Sequence, residues 1–376
     1  MSGGVVNTPK LRFPEFSGGW ASSRMGDSFS SRRKRGENGL PLYSVTLDRG
    51  LVKRSELERK IQSDAADESN LRAQAGDLVY NMMRMWQGAV GRASESCMVS
   101  PAYVVLAPNR ETDSRFFDFW FKSHRALYLL WAYSHGLTND RLRLYPDDFS
   151  AIPHHRPKLP EQQKIAAFLG AVDAKIGQLT RKKALLEDYK KGCMQQLFTQ
   201  KLRFKDDQGN DFPDWEEKKL GDVLTIGSGR DYKHLGAGNI PVYGTGGYML
   251  SVDDYLYDGE SVCIGRKGTI DSPALLNGKF WTVDTLFYTH SYQGVLPRFI
   301  FAIFQQINWA KYNEASGVPS LSKATIEQIA VGIPHPDEQR KIADFLSVID
   351  AKISLVVDEL SAAQNFKKGL LQQMFV

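Results

Sequence analysis

The chain has 376 residues, of which 42% are hydrophobic and 24% are charged, and its formal net charge is +5 at pH 7. These values fit a globular protein of two or three domains and exclude a fibrous or wholly disordered chain. Three widely spaced cysteines give neither a disulfide framework nor a zinc-binding pattern. No apolar run approaches the roughly 20 residues of a membrane span, so the sequence predicts a cytoplasmic protein.

The chain opens with the first copy of a plan that it later repeats. “KLRFPEF” at residues 10–16 is followed by a Gly-Asp pair at 26–27 and by the basic run “RRKR” at 32–35. “GDLVYNMMRMWQGAVG” from residue 76 predicts an apolar strand that ends in a basic turn. A helix is predicted within “SRFFDFWFKSHRALYLLWAY” from residue 114. Strands followed by a helix indicate an α+β domain.

A long amphipathic helix comes next. It starts at “EQQKIAAFLGAVDAKI”, residues 161–176, and apolar residues recur every three or four positions for most of its length to residue 198. Pro160 and Glu161 stand where a proline and an acid favour a helix start. The predicted buried face begins with Ile165, Phe168, Leu169, Val172 and Ile176.

The second copy repeats this order. “KLRFKDDQGNDFPDW” begins at residue 201, a Gly-Asp pair stands at 221–222, and “GESVCIGRKGTI” begins at 259. The closing helix, “EQRKIADFLSVIDAKI” at residues 338–353, is identical to the first helix at 11 of 16 positions. Its matching apolar face is Ile342, Phe345, Leu346, Ile349 and Ile353. The segments between the helices differ greatly although the helices do not.

This repeat predicts an α+β protein with pseudo-two-fold symmetry. Two mixed α/β target-binding domains, residues 1–159 and 201–335, are joined by long helices at 160–200 and 336–376. Each helix of 38 residues would be ~57 Å long, and the cheapest partner for its apolar face is the other copy, in an antiparallel coiled-coil-like spacer. Gly192 and Gly369 are expected to let the two backbones approach closely, with fraying of the helix ends as the alternative. The chain termini are expected to lie close together.

A repeated frame with two different heads suits a reader of two different targets at a fixed separation, and DNA offers such targets along a regular rod. Bivalent protein binding would serve too. Arg and Gln read bases bidentately in the major groove. Basic, amide and turn residues give these candidate DNA contacts: Arg32, Arg33, Arg84, Trp86, Gln87, Asn139, Arg141, Arg230, Lys233, Tyr243, Thr245, Arg266 and Lys267. Ordinary readings compete for some of them, since “RRKR” suits a solvated loop and “YGTGG” at 243–247 a plain hairpin turn.

Catalytic motifs are missing from the sequence. No GxxxxGK[ST] phosphate loop is present, and the glycine clusters do not form a dinucleotide-binding unit. The pair His154-His155 beside Pro153 is expected on a surface loop and not at a metal, since no cysteine or spaced histidine accompanies it. The sequence therefore predicts a non-catalytic binding protein that holds neither a metal nor a cofactor.

These motifs resemble those of the specificity (S) subunits of type I restriction–modification systems along essentially the whole chain. The strongest matches are “PEQQKIAAFLGAVDAKI” with “PDEQRKIADFLSVIDAKI”, the paired “KKGxxQQxF” helix ends, and “KLRFPEF”. The resemblance implies two target recognition domains that each read half of a split DNA sequence. It also implies a helical spacer that docks two methyltransferase (modification) subunits, which carry S-adenosylmethionine and methylate adenine, and separate motor–nuclease (restriction) subunits.

Two other functions remain open at this point. A stand-alone bivalent DNA-binding regulator would bind tightly without partners. A protein–protein scaffold would lack the steep salt dependence of phosphate contacts.

Overall fold

The computed structural model describes residues 7–57, 69–138 and 140–376, and these form two compact units. Unit 1 contains the chain up to residue 180 together with residues 358–376, and unit 2 contains residues 181–357. Each of the two long helices contributes one segment to each unit. Among the described residues, no helix is both long enough and apolar enough to cross a membrane.

Among its described residues, unit 1 holds ten strands, four short α-helices and a segment of each long helix. In chain order the elements are β1 (Ala21–Arg24), α1 (Met25–Ser28), β2 (Phe29–Ser31), β3 (Leu42–Thr46), β4 (Gly50–Lys53), β5 (Leu71–Ala73), β6 (Leu78–Asn81), β7 (Val90–Arg92), β8 (Cys97–Val99), β9 (Tyr103–Pro108), α2 (Ser114–Trp120), α3 (His124–Ala132), α4 (Pro146–Ala151), β10 (Pro153–Arg156) and the first long helix, α5 (Leu159–Phe198).

Unit 2 repeats this order with small differences. Its elements are β11 (Glu216–Lys219), α6 (Leu220–Val223), β12 (Thr225–Ser228), β13 (Ala237–Gly244), β14 (Gly247–Val252), β15 (Tyr257–Asp258), β16 (Ser261–Gly265), β17 (Ala274–Leu276), β18 (Lys279–Thr282), β19 (Leu286–His290), α7 (Pro297–Gln306), α8 (Lys323–Glu327), β20 (Ala330–Ile333) and the second long helix, α9 (Pro336–Gln373).

The two heads share one strand order despite their different sequences. Unit 1 has four-stranded sheets in the orders β2-β9-β6-β7 and β4-β3-β8-β5, and unit 2 has β12-β19-β16-β17 and β14-β13-β18-β15. The parallel pair β3–β8 in unit 1 is matched by the parallel pair β13–β18 in unit 2. A ribbon, β1–β10 or β11–β20, joins each head to its long helix. The predicted α+β architecture with two sheet-rich domains and two long helices is confirmed.

The central strand of each head is buried on both faces. Along β6, Leu78 and Tyr80 pack into the core that faces the helices, whereas Val79 packs into the core between the two sheets. Val262 and Cys263 of β16 alternate in the same way. Because side chains alternate along a strand, this sheet separates two cores in each unit.

The long helices pair through repeat mates, meaning residues related as Glu161 is to Glu338. In unit 1, Ile165 and Leu169 share a core with Leu370 and Met374 from the end of α9. In unit 2, Ile342, Leu346 and Ile349 share a core with Met194 and Leu197 from the end of α5. The start of one helix therefore lies beside the end of the other in each unit, as an antiparallel pair requires.

Two ion pairs mark this symmetry. Lys367 Nζ lies 2.5 Å from Asp173 Oδ1 in unit 1. Its counterpart in unit 2 joins Lys190 Nζ to Asp350 Oδ1 at 2.7 Å. Lys190 and Lys367 are repeat mates, as are Asp173 and Asp350, so one contact is made twice.

A buried carboxylate at the start of each helix holds the entry segment of its unit. Glu161 accepts Arg12 Nε at 2.7 Å and Trp20 Nε1 at 3.2 Å. Its mate Glu338 accepts Arg203 Nη2 at 2.8 Å and Trp215 Nε1 at 3.2 Å. We call each Arg–Glu–Trp set a latch. Charged hydrogen bonds of this kind are strong enough to fix the angle at which the entry segment meets the helix.

The glutamine that follows each latch glutamate holds the head. Gln162 Oε1 accepts the backbone N–H of Asp113, just before α2, at 2.9 Å. Gln339 Oε1 accepts the backbone N–H of Leu296, just before α7, at 2.9 Å. Both side chains are fully buried. These contacts set α2 and α7 in equivalent places on the two helices.

The entry segment near residue 11 and the end of α9 meet in unit 1, as expected of chain termini that lie close together. The Leu11 N–H donates to the Gln373 carbonyl at 2.9 Å. In unit 2 the matching bond runs from the Leu202 N–H to the Gln196 carbonyl at 3.2 Å. The end of each helix thus meets an entry segment in the same way.

Two predictions about single residues are wrong. A Cβ placed on Gly192 or on Gly369 would meet no atom within 4 Å, so no close backbone approach requires glycine there. His154 lies on β10, 3% exposed, with its ring edge-on to Phe117 and Trp120, and not on a surface loop. The core of unit 1 accepts this ring because the ribbon directs it inward.

Candidate nucleic-acid interface

In unit 2 the candidate contacts Arg266 and Lys267 lie on a turn that is held on two sides. The Arg266 N–H donates to the Thr285 carbonyl at 2.7 Å, and its own carbonyl accepts the Leu321 N–H at 2.9 Å. Gly268 donates to the Pro319 carbonyl at 2.9 Å. With the backbone fixed, both basic side chains are left exposed to solvent. The Arg266 guanidinium lies 5.9 Å from the centre of the Phe287 ring.

The hairpin “YGTGG” lies against this turn. Gly244 pairs with Gly247 across a two-residue turn, so this segment is a hairpin, and contact of Thr245 with a phosphate stays a prediction. A Cβ on Gly265 would lie 3.2 Å from Thr245 Cγ2 and 1.9 Å from the Thr269 carbonyl oxygen. Only glycine at 265 therefore lets the hairpin tip and the basic turn approach this closely.

A third loop of unit 2 lies at the same edge. The Arg230 N–H donates to the Thr282 carbonyl at 2.8 Å, and the Arg230 carbonyl accepts Trp281 Nε1 at 2.9 Å. The side chains of Arg230 and Lys233 are exposed. Because Arg230 is tied to Thr282 and Arg266 to Thr285, two exposed guanidinium groups flank one short segment. This arrangement suits an anionic, rod-like ligand.

Tyr243 differs from its neighbours in the candidate set. Its half-buried ring packs beside the small core of Cys263, Phe280 and Leu286, and lies 6.3 Å from the Tyr248 ring. The exposed aromatic group at the hairpin is instead Tyr248, whose hydroxyl lies 3.1 Å from Ser251 Oγ. Sequence reasoning missed Tyr248, since strand alternation alone did not give the direction of either ring.

In unit 1 the corresponding turn follows β6 and holds Arg84, Trp86 and Gln87. A 3-10 helix, Met85–Gln87, ends at Gly88 with φ 88°. Met85 is buried, which directs Arg84 and Gln87 outward. Trp86 is half-buried and its Nε1 donates to the Met83 carbonyl at 3.1 Å.

The two turns are not equivalent residue by residue. The Met82 carbonyl accepts the Leu144 N–H at 3.0 Å, as the Arg266 carbonyl accepts Leu321 in unit 2. Arg266 thus stands in the place of Met82, and Arg84 lies two residues further along. The two heads have the same backbone arrangement but expose different side chains, as expected of domains that bind different DNA sequences.

Arg32 and Arg33 have unequal surroundings. Arg32 Nε lies 3.0 Å from Asp77 Oδ2, and the Asp77 side chain is 3% exposed. Burial raises the pKa of Asp77, and the Arg32 charge only partly offsets this. Arg33 is exposed. Both line a cavity of about 210 Å³ together with Met82 and Tyr103, so Arg33 is the one whose charge is free to meet a phosphate.

Arg141 is exposed on the loop that precedes α4. A Cβ on Gly136 would lie 2.5 Å from the Arg141 carbonyl oxygen, which shows how tightly this loop is folded. The bond between Leu144 and Met82 ties the loop to the turn that carries Arg84. The predicted contact Asn139 lies outside the described residues.

The predicted helix residues are mostly internal. Ile165, Leu169, Ile342, Leu346 and Ile349 are buried in the two cores, and Phe168, Val172, Phe345 and Ile353 pack against them half-buried. Ile176 is half-buried. A different set of apolar residues is exposed on the long helices, and sequence reasoning missed it: Leu185, Tyr189, Val348, Leu355, Val357 and Phe366. In the sequence these residues lie outside the apolar stripe that was predicted to be buried, and this position could have indicated that they are exposed.

Comparison with known proteins identifies relatives of this chain. Residues 213–363 match the family model described as the type I restriction modification DNA specificity domain. The match covers unit 2 from residue 213 onward and α9 up to residue 363. The family resemblance predicted from the paired helices is confirmed.

Relatives of the specificity domain extend the match into the rest of the chain. The MjaVIII specificity subunit of Methanocaldococcus jannaschii is 24% identical over 257 residues, which is 57% of this chain and 59% of that protein. The EcoprrI specificity subunit of Escherichia coli is 23% identical over 170 residues, which is 42% of this chain and 41% of that protein. The chain therefore spans about three-fifths or less of these curated relatives.

Solved structures agree over nearly the full length. The type I restriction–modification S subunit from M. genitalium has a TM-score of 0.66 at 19% identity, and the alignment covers 98% of this chain and 99% of that one. A chain from a study of type I complex assembly and conformational transition has a TM-score of 0.54 at 15% identity, over 96% of this chain and 98% of that one. Both heads and both long helices therefore have the fold of S subunits.

Proposed function

We propose that this chain is the DNA-recognition subunit of a type I restriction–modification complex. Each unit would read one half of a split, asymmetric DNA sequence. The observation that carries the proposal is that one two-sheet head is built twice on repeated helices while its exposed turns differ. A repeated frame with identical turns would favour a palindrome, whereas Arg266 in place of Met82 favours unequal half-sites.

The roles of the exposed basic residues follow from their backbone anchoring. Arg266 and Arg84 lie on turns whose backbones are hydrogen-bonded, so their side chains can meet a base edge with little loss of conformational freedom. Arg33, Arg230, Lys233 and Lys267 would contact phosphates, which position the DNA without reading its sequence. Arg32 would act indirectly, through its ion pair with Asp77.

Catalysis in this proposal belongs to partner subunits. Modification subunits that carry S-adenosylmethionine would methylate adenine, and restriction subunits would move and cut unmodified DNA. The exposed apolar residues of the long helices support a docking role, since solvent-exposed apolar groups clustered on one element mark interaction surfaces. This chain would supply recognition alone, in the cytoplasm where its DNA is found.

The test is adenine-methylation sequencing of cells that express the cognate modification subunit, with and without this chain. We expect methylation that depends on this chain, in a split and asymmetric motif. An Arg266→Ala, Lys267→Ala variant serves as a matched control, since it should change or weaken one half of the motif only. Absence of chain-dependent methylation, with both proteins expressed and folded, would contradict the proposal.

Two further outcomes distinguish the remaining functions. Tight, sequence-specific DNA binding by the isolated chain without any methylation would identify a stand-alone regulator. DNA binding that is weak and insensitive to salt would identify a protein scaffold, because phosphate contacts release counterions and depend steeply on salt.

A further inference from the structure

Repeat mates on the exposed surface of the long helices differ between the units. Leu185, Val348 and Leu355 of unit 2 are 57%, 55% and 59% exposed. Their mates in unit 1 are Ala362, Ala171 and Gln178, which are also exposed. Each substitution makes the surface of unit 1 smaller or more polar at a position where unit 2 presents a large aliphatic side chain.

One exposed aromatic position is common to both units. Tyr189 in unit 2 and its mate Phe366 in unit 1 are each 55% exposed. Because the repeat presents an aromatic ring at the same position in both units, both surfaces fit one kind of partner. Two copies of that partner, and not two different proteins, are the natural occupants of a duplicated surface.

A groove beside the helices adds a second difference. In unit 2 a groove of about 350 Å³ is floored by Leu275, Ala302, Ala343 and Leu346. It adjoins a wider cleft that shares Gln305 and Asp350 with it. The groove has this apolar floor and a polar rim that includes Arg298, and it is open, so it can receive a side chain from outside.

In unit 1 the matching place is occupied from within. The contacts of Gln162 and Gln339 align α2 with α7, and this alignment places Phe119 where unit 2 has Ala302. Phe119 is buried in one core with Ala166 and Leu169, the mates of Ala343 and Leu346. Lys367 Nζ lies 5.6 Å from the centre of its ring. In unit 1 an aromatic ring therefore fills the place that the groove occupies in unit 2.

The lysine beside the groove also has different contacts in the two units. Lys190, the mate of Lys367, instead donates to Gln305 Oε1 at 3.0 Å and to Asp350 Oδ2 at 2.9 Å. A ring entering from a partner would lie under this ammonium group as Phe119 lies under Lys367.

We propose that the two docking surfaces are unequal, and that unit 2 binds the first modification subunit through Leu185, Val348, Leu355 and an aromatic side chain inserted beside Ala302. This inference rests on the proposed function. Unit 1, with smaller side chains and a filled groove, binds the second copy more weakly. The complex therefore assembles in order.

The experiment is a titration of the full chain with its modification subunit, followed by native mass spectrometry. At equal concentrations we expect the complex with one modification subunit to predominate, with stepwise dissociation constants that differ by roughly tenfold or more beyond the statistical factor, from the additional apolar burial. Hydrogen exchange of the one-copy complex should show protection of residues 347–355 and not of residues 170–178.

Exchanging repeat mates supplies matched controls. The variant Leu185→Ala, Val348→Ala, Leu355→Gln gives these three positions of unit 2 the residues of unit 1, and should reduce the difference between the two constants. The reciprocal variant Ala362→Leu, Ala171→Val, Gln178→Leu should strengthen the second binding step. Ala302→Phe fills the groove from within and should weaken the first step alone. All replacements except Ala302→Phe are at exposed positions, which keeps the fold intact.

The outcomes separate this inference from the proposed function. Wild-type constants that differ by only the statistical factor, or swaps that leave their ratio unchanged, would overturn the inference while methylation still supports the function. An unchanged first step in the Ala302→Phe variant would overturn the aromatic occupant. Failure to form any complex would overturn both.

Discussion

Arginines that look alike in the sequence have different surroundings in the two heads. Arg32 is held by the buried Asp77, whereas Arg266 is exposed on a turn whose backbone is tied to Thr285 and Leu321. The sequence could not separate them, because Asp77 lies far from Arg32 along the chain and only sheet formation brings them together. The turns themselves were predictable, since glycine and basic residues follow an apolar run in each copy.

Replacing Arg266 by Ala should cost about 1–3 kcal/mol of binding free energy on the target sequence and relax the specificity of one half-site. The reason is that its fixed backbone directs the guanidinium to a single place. Binding to a set of DNA variants with the partner subunits present measures this. Lys267→Ala is the control and should weaken binding to all DNA sequences by the same amount. Equal losses from both replacements would assign Arg266 to a phosphate.

Gly192 and Gly369 lie inside helices with open space at the Cβ position. Replacing either by Ala should stabilise the isolated chain by about 1 kcal/mol, since alanine loses less backbone freedom on folding. Urea unfolding measures the change. Gly265→Ala is the matched control and should destabilise the chain, because its Cβ would lie 1.9 Å from the Thr269 carbonyl oxygen. A loss of stability at residue 192 or 369 would show that a close approach exists after all.

Burial, with the nearby charges of Arg156 and His155, lowers the pKa of His154 from its ordinary 6.5 to about 4. The folded state therefore binds this proton less readily than the unfolded chain does. Stability should fall as pH drops from about 6.5 to about 4, by roughly 3 kcal/mol in all. Unfolding of wild type and His154→Gln at several pH values tests this, with the exposed His124→Gln as control. A parallel pH profile in His154→Gln would remove His154 as the cause.

At the scale of elements, the long helices were predictable and the sheets were not. Helix periodicity is local, so residues 159–198 and 336–373 could be inferred from spacing and from the repeat. The parallel pairs β3–β8 and β13–β18 join segments that are far apart in the chain, and no local pattern specifies such a register. His154 was misplaced for the same reason, since the ribbon partner that orients β10 is β1, at the other end of the head.

The latches should contribute more than any other ion pair of these helices. Arg203→Met leaves Glu338, whose side chain is 1% exposed, as a buried charge without its main partner. We expect a loss of about 3–5 kcal/mol in unfolding free energy. Lys341→Met is the control on the same helix, because its partner Asp207 is 88% exposed and the change should stay within about 1 kcal/mol. Similar losses from the two variants would argue against a structural role for the latch.

At the scale of the whole molecule, the repeat could be recognised in the sequence because the long helices and entry segments are more similar between the two copies than the heads are. Latch, glutamine contact and helix-pairing ion pair all recur as mates, and the residues that make them stand in the matched sequence motifs. The inequality of the exposed helix positions was not inferred, since exposure depends on which helix face the heads and the partner helix cover.

Inserting four residues at matched sites in both long helices should lengthen the spacer by about 6 Å. The gap between the half-sites of the methylated motif should then grow by one or two base pairs, while the half-sites stay unchanged. Methylation sequencing measures both. Insertion of four residues into the loop before β13 is the control and should leave the gap alone. An unchanged gap in the helix variant would refute the spacer role.

The latches also bear on how such a chain changes its target over generations. The two latches and the two helix-pairing ion pairs are made by residues in the repeated segments, and these segments flank each head. A genetic crossover within them would replace one head with a foreign one and leave both latches and both helix-pairing ion pairs intact. New target sequences would then arise by exchange of whole heads, with no need to rebuild the frame or the surfaces that its partners recognise.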